Sequence, residues 1–119
     1  MNAPRRTRVR NDAFDVVREL GLALPGVTEG TAYGSPALKV NGKMFACLAI
    51  NKSAEPDSLV AQVDFVNRDL LIAKDPGTYY LTNHYVGGPV VLVRLTRVGR
   101  EELKDVLQMA WRYVSGMSK

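Results

Sequence analysis

The chain has 119 residues, of which 46% are hydrophobic and 24% are charged, and this composition fits one globular domain with its own core. No apolar run approaches the roughly 20 residues that a membrane-spanning helix requires, and none follows the basic N-terminus as in a signal peptide. The lone cysteine, Cys47, cannot form an internal disulfide, which suits a reducing compartment. We therefore expect a cytoplasmic protein.

The net charge of +4 is concentrated at the ends of the chain. Residues 1–10 hold four of the 16 basic residues and no acid, so the other 12 basic residues are balanced by 12 acidic ones. Residues 90–119 are basic, and residues 11–89 are acidic to the same extent. The charge therefore does not indicate a basic domain, which weakens a nucleic-acid function argued from charge alone.

The first part of the chain predicts an arm, a helix and an antiparallel meander. Residues 1–10 lack apolar periodicity, so we expect a flexible basic arm before a single domain over residues 11–119. Asn11 or Asp12 can cap a helix that ends before Pro25. Residues 27–33 alternate weakly, and Asn41-Gly42 between two apolar runs predicts a hairpin with a type I′ turn, because both residues accept positive φ. Residues 58–63 predict the next strand.

The second part predicts a short helix, two strands and a long final helix. Residues 66–74 suit a helix, and residues 78–81 and 90–95 suit strands. Gly99 can cap the last helix, in which apolar residues recur at helical spacing until Gly116. The order α-β-β-β-β-α-β-β-α predicts an α+β domain: an antiparallel sheet on which N- and C-terminal helices and a short middle helix pack.

The loop from Thr82 to Pro89 contains the only histidine, His84, together with Tyr85 and Gly87-Gly88. His84 can act as an acid or base, contact a ligand, or fix the turn through backbone hydrogen bonds. No acid lies within six residues of it, and a zinc site would need an improbable ligand set. The glycine pair either lets an anion approach the backbone or supplies positive φ before the strand.

Two loops together suggest a binding pocket. A polar turn with an aromatic precedes Lys39, and the His84 loop carries a second aromatic, so we expect a ligand site formed by Tyr33, Lys39, His84 and Tyr85. The alternative is a turn beside a surface lysine. Cys47 lies in an apolar run with no basic neighbour, which favours a buried cysteine over a nucleophile.

Several motifs in order resemble the MmcQ/YjbR family. They are Leu24-Pro25-Gly26-Val27-Thr28-Glu29-Gly30, the segment from Tyr33 through Phe45, Thr82-Asn83-His84-Tyr85 with Val91 through Leu95, and Glu102-Leu103 through Ala110-Trp111-Arg112. The resemblance covers residues 11–115. It implies a compact α+β fold that has been likened to the double-wing DNA-binding fold and to secretion-chaperone-like domains. The family's recurrent polar and aromatic set falls on Tyr33, Pro36, Lys39, His84, Tyr85 and Trp111.

The sequence and the resemblance together predict a non-enzymatic binding protein that binds DNA weakly and in a salt-sensitive way. No nucleophile–base pair or metal-ligand set is visible, so we expect no catalytic residue, no metal and no cofactor. The alternative is a small-molecule or protein-binding module at the Tyr33/Lys39/His84/Tyr85 cluster. The residues predicted to contact phosphate are Arg5, Arg6, Arg8, Arg10, Arg94, Arg97, Arg100 and Lys104.

Overall fold

The computed structural model describes residues 13–117, so the predicted arm at residues 1–10 lies outside the described residues. Within this described range, three helices and six strands follow one another in the predicted order. The elements are α1 (13–22), β1 (Val27–Ala32), β2 (Ser35–Val40), β3 (Lys43–Leu48), β4 (Ser58–Gln62), α2 (Phe65–Lys74), β5 (Tyr79–Tyr80), β6 (Val90–Arg94) and α3 (Arg100–Met117).

The six strands form one antiparallel sheet with the order β1-β2-β3-β4-β6-β5. The first four strands are a meander. The chain then forms α2 and the outer strand β5, and β6 pairs between β4 and β5. The outer edges are therefore β1, with six residues, and β5, with only two. This arrangement confirms the predicted α+β class.

The predicted type I′ geometry at the β2–β3 turn is confirmed. Asn41 has φ of 54° and Gly42 has φ of 77°. The β1–β2 turn has the same geometry, with φ of 56° at Tyr33 and 77° at Gly34, although Tyr-Gly is a weaker signal for this turn than Asn-Gly. Both hairpins are thus joined by two-residue turns whose twist matches that of the flanking strands.

A register shift in the β2–β3 pair changes which β3 residues face the core. Leu38 pairs with Ala46, whereas Lys39 pairs with Met44, so Phe45 is the extra residue of a β-bulge. Phe45 and Ala46 can then both join the main core instead of alternating between faces. Lys39 and Met44 pair with each other across the two strands, and their side chains lie on the opposite face of the sheet.

All three helices pack on one face of the sheet, which holds the main core. Phe14 and Val17 come from α1, and Leu71 and Ile72 of α2 pack against the same cluster. The apolar stripe of α3, which lies across β3 and β4, supplies five buried residues: Leu103, Val106, Leu107, Ala110 and Val114. None of the helices described here is both long and apolar enough to cross a membrane.

The other face of the sheet, which we call the loop face, is covered by loops. Its buried cluster consists of Ala37, Cys47, Val60 and Leu92. Tyr80 and Tyr85 pack against this cluster from β5 and the loop that follows it. Cys47 is buried as predicted, and the burial raises the pKa of its thiol to about 11, so the thiol stays protonated at neutral pH.

Two details differ from the sequence-based expectations. Helix α3 continues through Gly116 to Met117, because one exposed glycine lowers helix stability without breaking the hydrogen-bond ladder. Neither Gly87 nor Gly88 has positive φ, contrary to the expectation for this pair. The chain reverses there through hydrogen bonds from Tyr85 N and Val86 N to the Thr82 carbonyl, which helical turns with negative φ can form.

We predict that Gly42→Val destabilises the domain by about 1–3 kcal/mol, because a β-branched residue strains the backbone at positive φ. A Cβ at Gly42 would meet no atom within 4 Å, so the effect isolates backbone conformation from crowding. Urea denaturation measures the change. Gly87→Val is the matched control, since Gly87 is equally open but has no positive φ. Equal stability of the two variants would contradict the strained-turn explanation.

Candidate functional site

The loop over residues 82–88 is anchored on the loop face by its tyrosine. Tyr85 packs against the buried cluster of that face and contacts the ring of His84 edge-to-face, with centroids 4.8 Å apart. Burial is the largest cause that raises the pKa of the Tyr85 phenol, and a backbone hydrogen bond from Asn51 opposes it. The loop is therefore held by a partly buried aromatic ring, while His84 remains exposed to solvent.

Arg68 of α2 fastens the same loop from the helix side. Its Nη1 donates to the carbonyl oxygens of Val86 at 2.8 Å and Gly88 at 3.2 Å, and its Nε donates to Asp69 at 2.9 Å. The guanidinium also lies over the Phe65 ring, 4.8 Å from its centroid. A nearly buried cation thus satisfies loop carbonyls that are partly removed from water and couples α2 to the loop.

Helix α2 starts at a position set by its own capping residue. The Asp64 carboxylate accepts from Asn67 N at 2.8 Å and from Asn67 Nδ2 at 2.8 Å. These hydrogen bonds lower the pKa of Asp64. The cap fixes where α2 begins and therefore where Arg68 meets the loop.

A second polar cluster ties residues 49–57, the β3–β4 loop, to β5 and β6. The Arg94 guanidinium donates to both carboxylate oxygens of Glu55, at 2.8 and 2.7 Å, and to the carbonyls of Pro76 and Gly77. It also stacks on the ring of Tyr80, 4.0 Å from the centroid. The Tyr80 hydroxyl in turn accepts from Glu55 N. The hydrogen bond from Arg94 is the largest cause that lowers the pKa of Glu55.

The same β3–β4 loop also contacts the His84 loop. The hydroxyls of Ser53 and Thr82 are 2.7 Å apart. On its other side, the β3–β4 loop and the β1–β2 turn line a groove of about 540 Å³, with Pro36, Ile50 and Lys52 among its walls. The groove is partly apolar, and it lies beside the exposed turn residue Tyr33.

The structure brings together two of the four residues predicted to form one pocket. His84 and Tyr85 are in ring contact. Tyr33 lies at the tip of the β1–β2 hairpin with 83% of its surface exposed, whereas Lys39 lies near the far end of β2. Lys39 is four positions after Ser35, which corresponds to roughly 13 Å along the strand.

An exposed apolar surface lies next to the His84 loop, and we call it the loop–helix surface. It consists of Phe65, Val66 and Leu70 on α2 with Val86 on the loop. Val66 and Leu70 are 70% and 61% exposed and lie one helical turn apart. Phe65 stacks on the same Arg68 that binds the Val86 carbonyl, so that residue joins the two parts.

The cations predicted to contact phosphate have different surroundings. Arg94 is engaged by Glu55 and two carbonyls, which gives it a structural role, whereas Arg100 forms an exposed ion pair with Glu19 at 2.6 Å. Arg97 and Lys104 are exposed and take part in no ion pair within residues 13–117. The arm arginines Arg5, Arg6, Arg8 and Arg10 lie outside the described residues.

Within residues 13–117, no group of three or more histidine, cysteine, aspartate or glutamate residues is placed to hold a metal ion. Trp111 is partly buried against the main core, and its Nε1 donates to the Pro25 carbonyl at 2.9 Å. This residue of the recurrent family set therefore joins the last helix to the turn after the first one.

Comparison with known proteins places the chain in a family. The YjbR family model matches residues 22–113. The chain belongs to the YjbR family. The crystal structure of Deinococcus radiodurans protein DR2400, with family-model domain DUF419, has the same fold: the TM-score is 0.70 at 22% identity, over 87% of this chain and 78% of that one.

Curated relatives of this YjbR-family protein share a shorter segment. The uncharacterized proteins Rv2570 of Mycobacterium tuberculosis and Mb2600 of Mycobacterium bovis are 44% identical to it over 41 residues. The matched segment covers 34% of this chain and only 32% of each relative.

Sequence reasoning missed Arg68 and Arg94 as organising residues. Arg68 lies in a segment without a motif, and Arg94 was predicted only to contact phosphate. The loop groups that the two guanidinium groups hold are 17 to 39 positions away in sequence. One signal was present in the sequence. Helical spacing places Arg68 on the face of α2 that also carries Leu71 and Ile72, and an arginine on such a face needs a buried partner.

We predict that Arg68→Met destabilises the domain by about 1–3 kcal/mol, because the Val86 and Gly88 carbonyls lose a charged donor. Hydrogen exchange should also become faster at the amides of residues 85–88. Urea denaturation and amide exchange followed by NMR measure the two effects. Lys74→Met is the matched control, since Lys74 is an exposed cation on the same helix. If the two variants behave alike, the guanidinium does not hold the loop.

Proposed function

We propose that this YjbR-family protein is a non-enzymatic binding module that contacts a protein partner through the loop–helix surface. The observation that carries the proposal is the grouping of Phe65, Val66, Leu70 and Val86, which are 47%, 70%, 61% and 50% exposed. Single exposed apolar residues are ordinary, but a contiguous group of large ones marks a site of interaction.

The surface is also rigid enough to bind without a large ordering cost. Asp64 caps α2, Arg68 bonds the loop to the helix, and Tyr85 is packed in the loop face. Side chains that are already positioned lose less conformational entropy on binding, so more of the apolar contact energy becomes affinity. The His84 loop thus contributes one side of a contact surface that is already ordered before a partner binds.

The chemistry of the partner follows from what the surface presents. Its apolar side chains fit an apolar face, such as one side of an amphipathic helix. Asp69 lies within it with 65% of its side chain exposed, and Arg68 donates to only one of its carboxylate oxygens. A basic residue on the partner would pair with the second oxygen, so we expect an apolar segment flanked by lysine or arginine.

The proposal of a non-enzymatic role rests on the chemistry of the candidate nucleophile and base. The Cys47 thiol is buried, with a pKa raised to about 11, so it supplies little thiolate. His84 contacts the ring of Tyr85, and within the described part of the chain it pairs with no carboxylate. This arrangement suits contact better than proton transfer.

We predict that the double variant Val66→Ser/Leu70→Ser loses the partner while keeping the fold. Both side chains are exposed, so each change should alter stability by less than about 0.5 kcal/mol. Tagged wild-type and variant proteins are used to capture partners from a lysate of the source cells. Each protein that only the wild type retains is then purified and titrated against both forms by fluorescence anisotropy, with at least a tenfold weaker Kd expected for the variant.

Ile50→Ser is the matched control, because Ile50 is an exposed apolar residue on the β3–β4 loop, outside the loop–helix surface. It should leave the titration unchanged. Equal affinity of wild type and double variant for every purified candidate would refute the proposed surface. An equal loss of affinity in Ile50→Ser would show that the candidates bind exposed apolar side chains non-specifically. That result would also refute the proposed surface.

A second candidate function is DNA binding through the N-terminal arm, favoured by the distribution of charge. Residues 13–117 contain 11 basic and 11 acidic residues, so the net charge of +4 resides entirely in residues 1–12 and 118–119. Arg5, Arg6, Arg8 and Arg10 supply most of it. Phosphate contacts by such residues give affinity without sequence specificity.

We predict that replacing the four arm arginines with glutamine in the full chain weakens binding to a fluorescent DNA duplex. Each lost phosphate contact should reduce the slope of log K against log salt by about 0.9, or by about 3.6 for four contacts. Anisotropy titrations at several salt concentrations measure the slope. Arg97→Gln/Lys104→Gln tests the exposed cations of the domain. An unchanged slope in the arm variant, or no binding by wild type at low salt, would reject this candidate.

A further inference from the structure

Within residues 13–117, strand β1 has an edge that no other strand pairs with. It is the outer strand of the sheet, with six residues, and only its inner side pairs with β2. The opposite edge strand, β5, has two residues and offers little backbone for pairing. Edge strands expose backbone N–H and C=O groups that another extended chain can pair with.

The β1 edge lacks the usual protection against such pairing. The strand contains no proline and no lysine, and its register with β2 is regular throughout. Its one charged residue, Glu29, accepts from Arg18 Nε at 2.8 Å and is thereby held toward α1. Proteins normally blunt long edges with charges, prolines or bulges, so an unprotected edge of this length is available for a binding partner.

A cation lies directly beside this edge. Gly30 has no side chain, and the side chain of Lys39 from β2 lies across it. A Cβ placed on Gly30 would be 3.3 Å from Lys39 Cε and 3.6 Å from Lys39 Nζ. Lys39 takes part in no ion pair within the part of the chain that the structure describes. Its ammonium group is therefore available to an acid on an added strand.

We propose that β1 binds an extended peptide segment of a partner protein as a seventh strand, with a carboxylate side chain opposite Gly30 that pairs with Lys39. Directly opposed residues on antiparallel strands have Cβ atoms about 4.5–5.5 Å apart, which is within reach of a glutamate that faces Gly30. Backbone pairing supplies the affinity, and the Lys39–carboxylate pair selects an acidic segment.

Charge also argues against a second copy of this chain as the occupant. If the helices of two copies stay on the same side, the two antiparallel registers that pair the most β1 residues set either Glu29 or Gly30 opposite its own counterpart. The first register opposes two carboxylates, and the second brings two Lys39 ammonium groups together. Like charges directly opposite each other are unfavourable, whereas an acidic peptide avoids both conflicts.

The test uses two fluorescein-labelled peptides that differ at one position, TVTETVT and TVTQTVT in one-letter code, titrated against the full chain by anisotropy. Wild type should bind the glutamate peptide about threefold to fivefold more tightly, as expected for one partly exposed ion pair. The Lys39→Gln variant should lose that preference, which isolates the pair as in a double-mutant cycle. Lys43→Gln is the control, because Lys43 is an exposed lysine just after the β2–β3 turn that pairs with Val40 and does not lie across Gly30.

A further measurement locates the binding site. NMR amide shifts on adding the glutamate peptide should concentrate in residues 27–32, and N-methylation of alternate peptide amides should abolish binding because it removes the ladder donors. The proposal is overturned if neither peptide binds at about 1 mM. It is also overturned if the glutamate preference persists in Lys39→Gln, if the shifts fall elsewhere, or if sedimentation shows a dimer whose β1 amides are already protected.

Discussion

The guanidinium of Arg68 joins three parts of the molecule that share no neighbouring sequence. It binds two carbonyls of the 82–88 loop, pairs with Asp69 and lies over Phe65. All three helices pack on the opposite face of the sheet, so the loop must cover the second, smaller cluster. A loop that covers this cluster also buries part of its own backbone carbonyls. The Arg68 guanidinium donates hydrogen bonds to those carbonyls from α2, and these bonds offset the free-energy cost of removing the carbonyls from water.

The same constraint explains the second polar cluster. The β3–β4 loop covers another part of the loop face, and it is held by Arg94, which pairs with Glu55 and stacks on Tyr80. Each arginine therefore donates hydrogen bonds to backbone carbonyls that have no partner strand, as neighbouring strands do for one another within the sheet. Both cations are engaged within the fold itself, and they are therefore not available to a ligand.

Local chemistry made much of the fold predictable. Asn41-Gly42 encodes its turn because both residues tolerate positive φ, and the apolar repeat from Leu103 to Val114 encodes the buried side of α3. The element order followed from such local signals. The bulge at Phe45 could not be predicted, because it depends on how β3 meets β2, and neither strand alone records the shift.

The candidate site was less predictable for the same reason. His84 and Tyr85 are adjacent in sequence and remain adjacent in space, whereas Tyr33 and Lys39 are only six positions apart but lie at opposite ends of a strand. An extended strand separates residues that a loop would leave close together. The roles of Arg68 and Arg94 depend on partners that only the folded chain brings near.

The protonated thiol of Cys47, sealed beneath Tyr85 in the loop face, has a practical consequence. Alkylating reagents react with thiolates, so a cysteine that is buried and has a pKa of about 11 is poorly reactive in the folded protein near neutral pH. A single cysteine engineered on the surface could therefore be labelled selectively with a fluorophore or a spin probe. The wild-type background would not have to be altered to place such reporters on either face of the sheet.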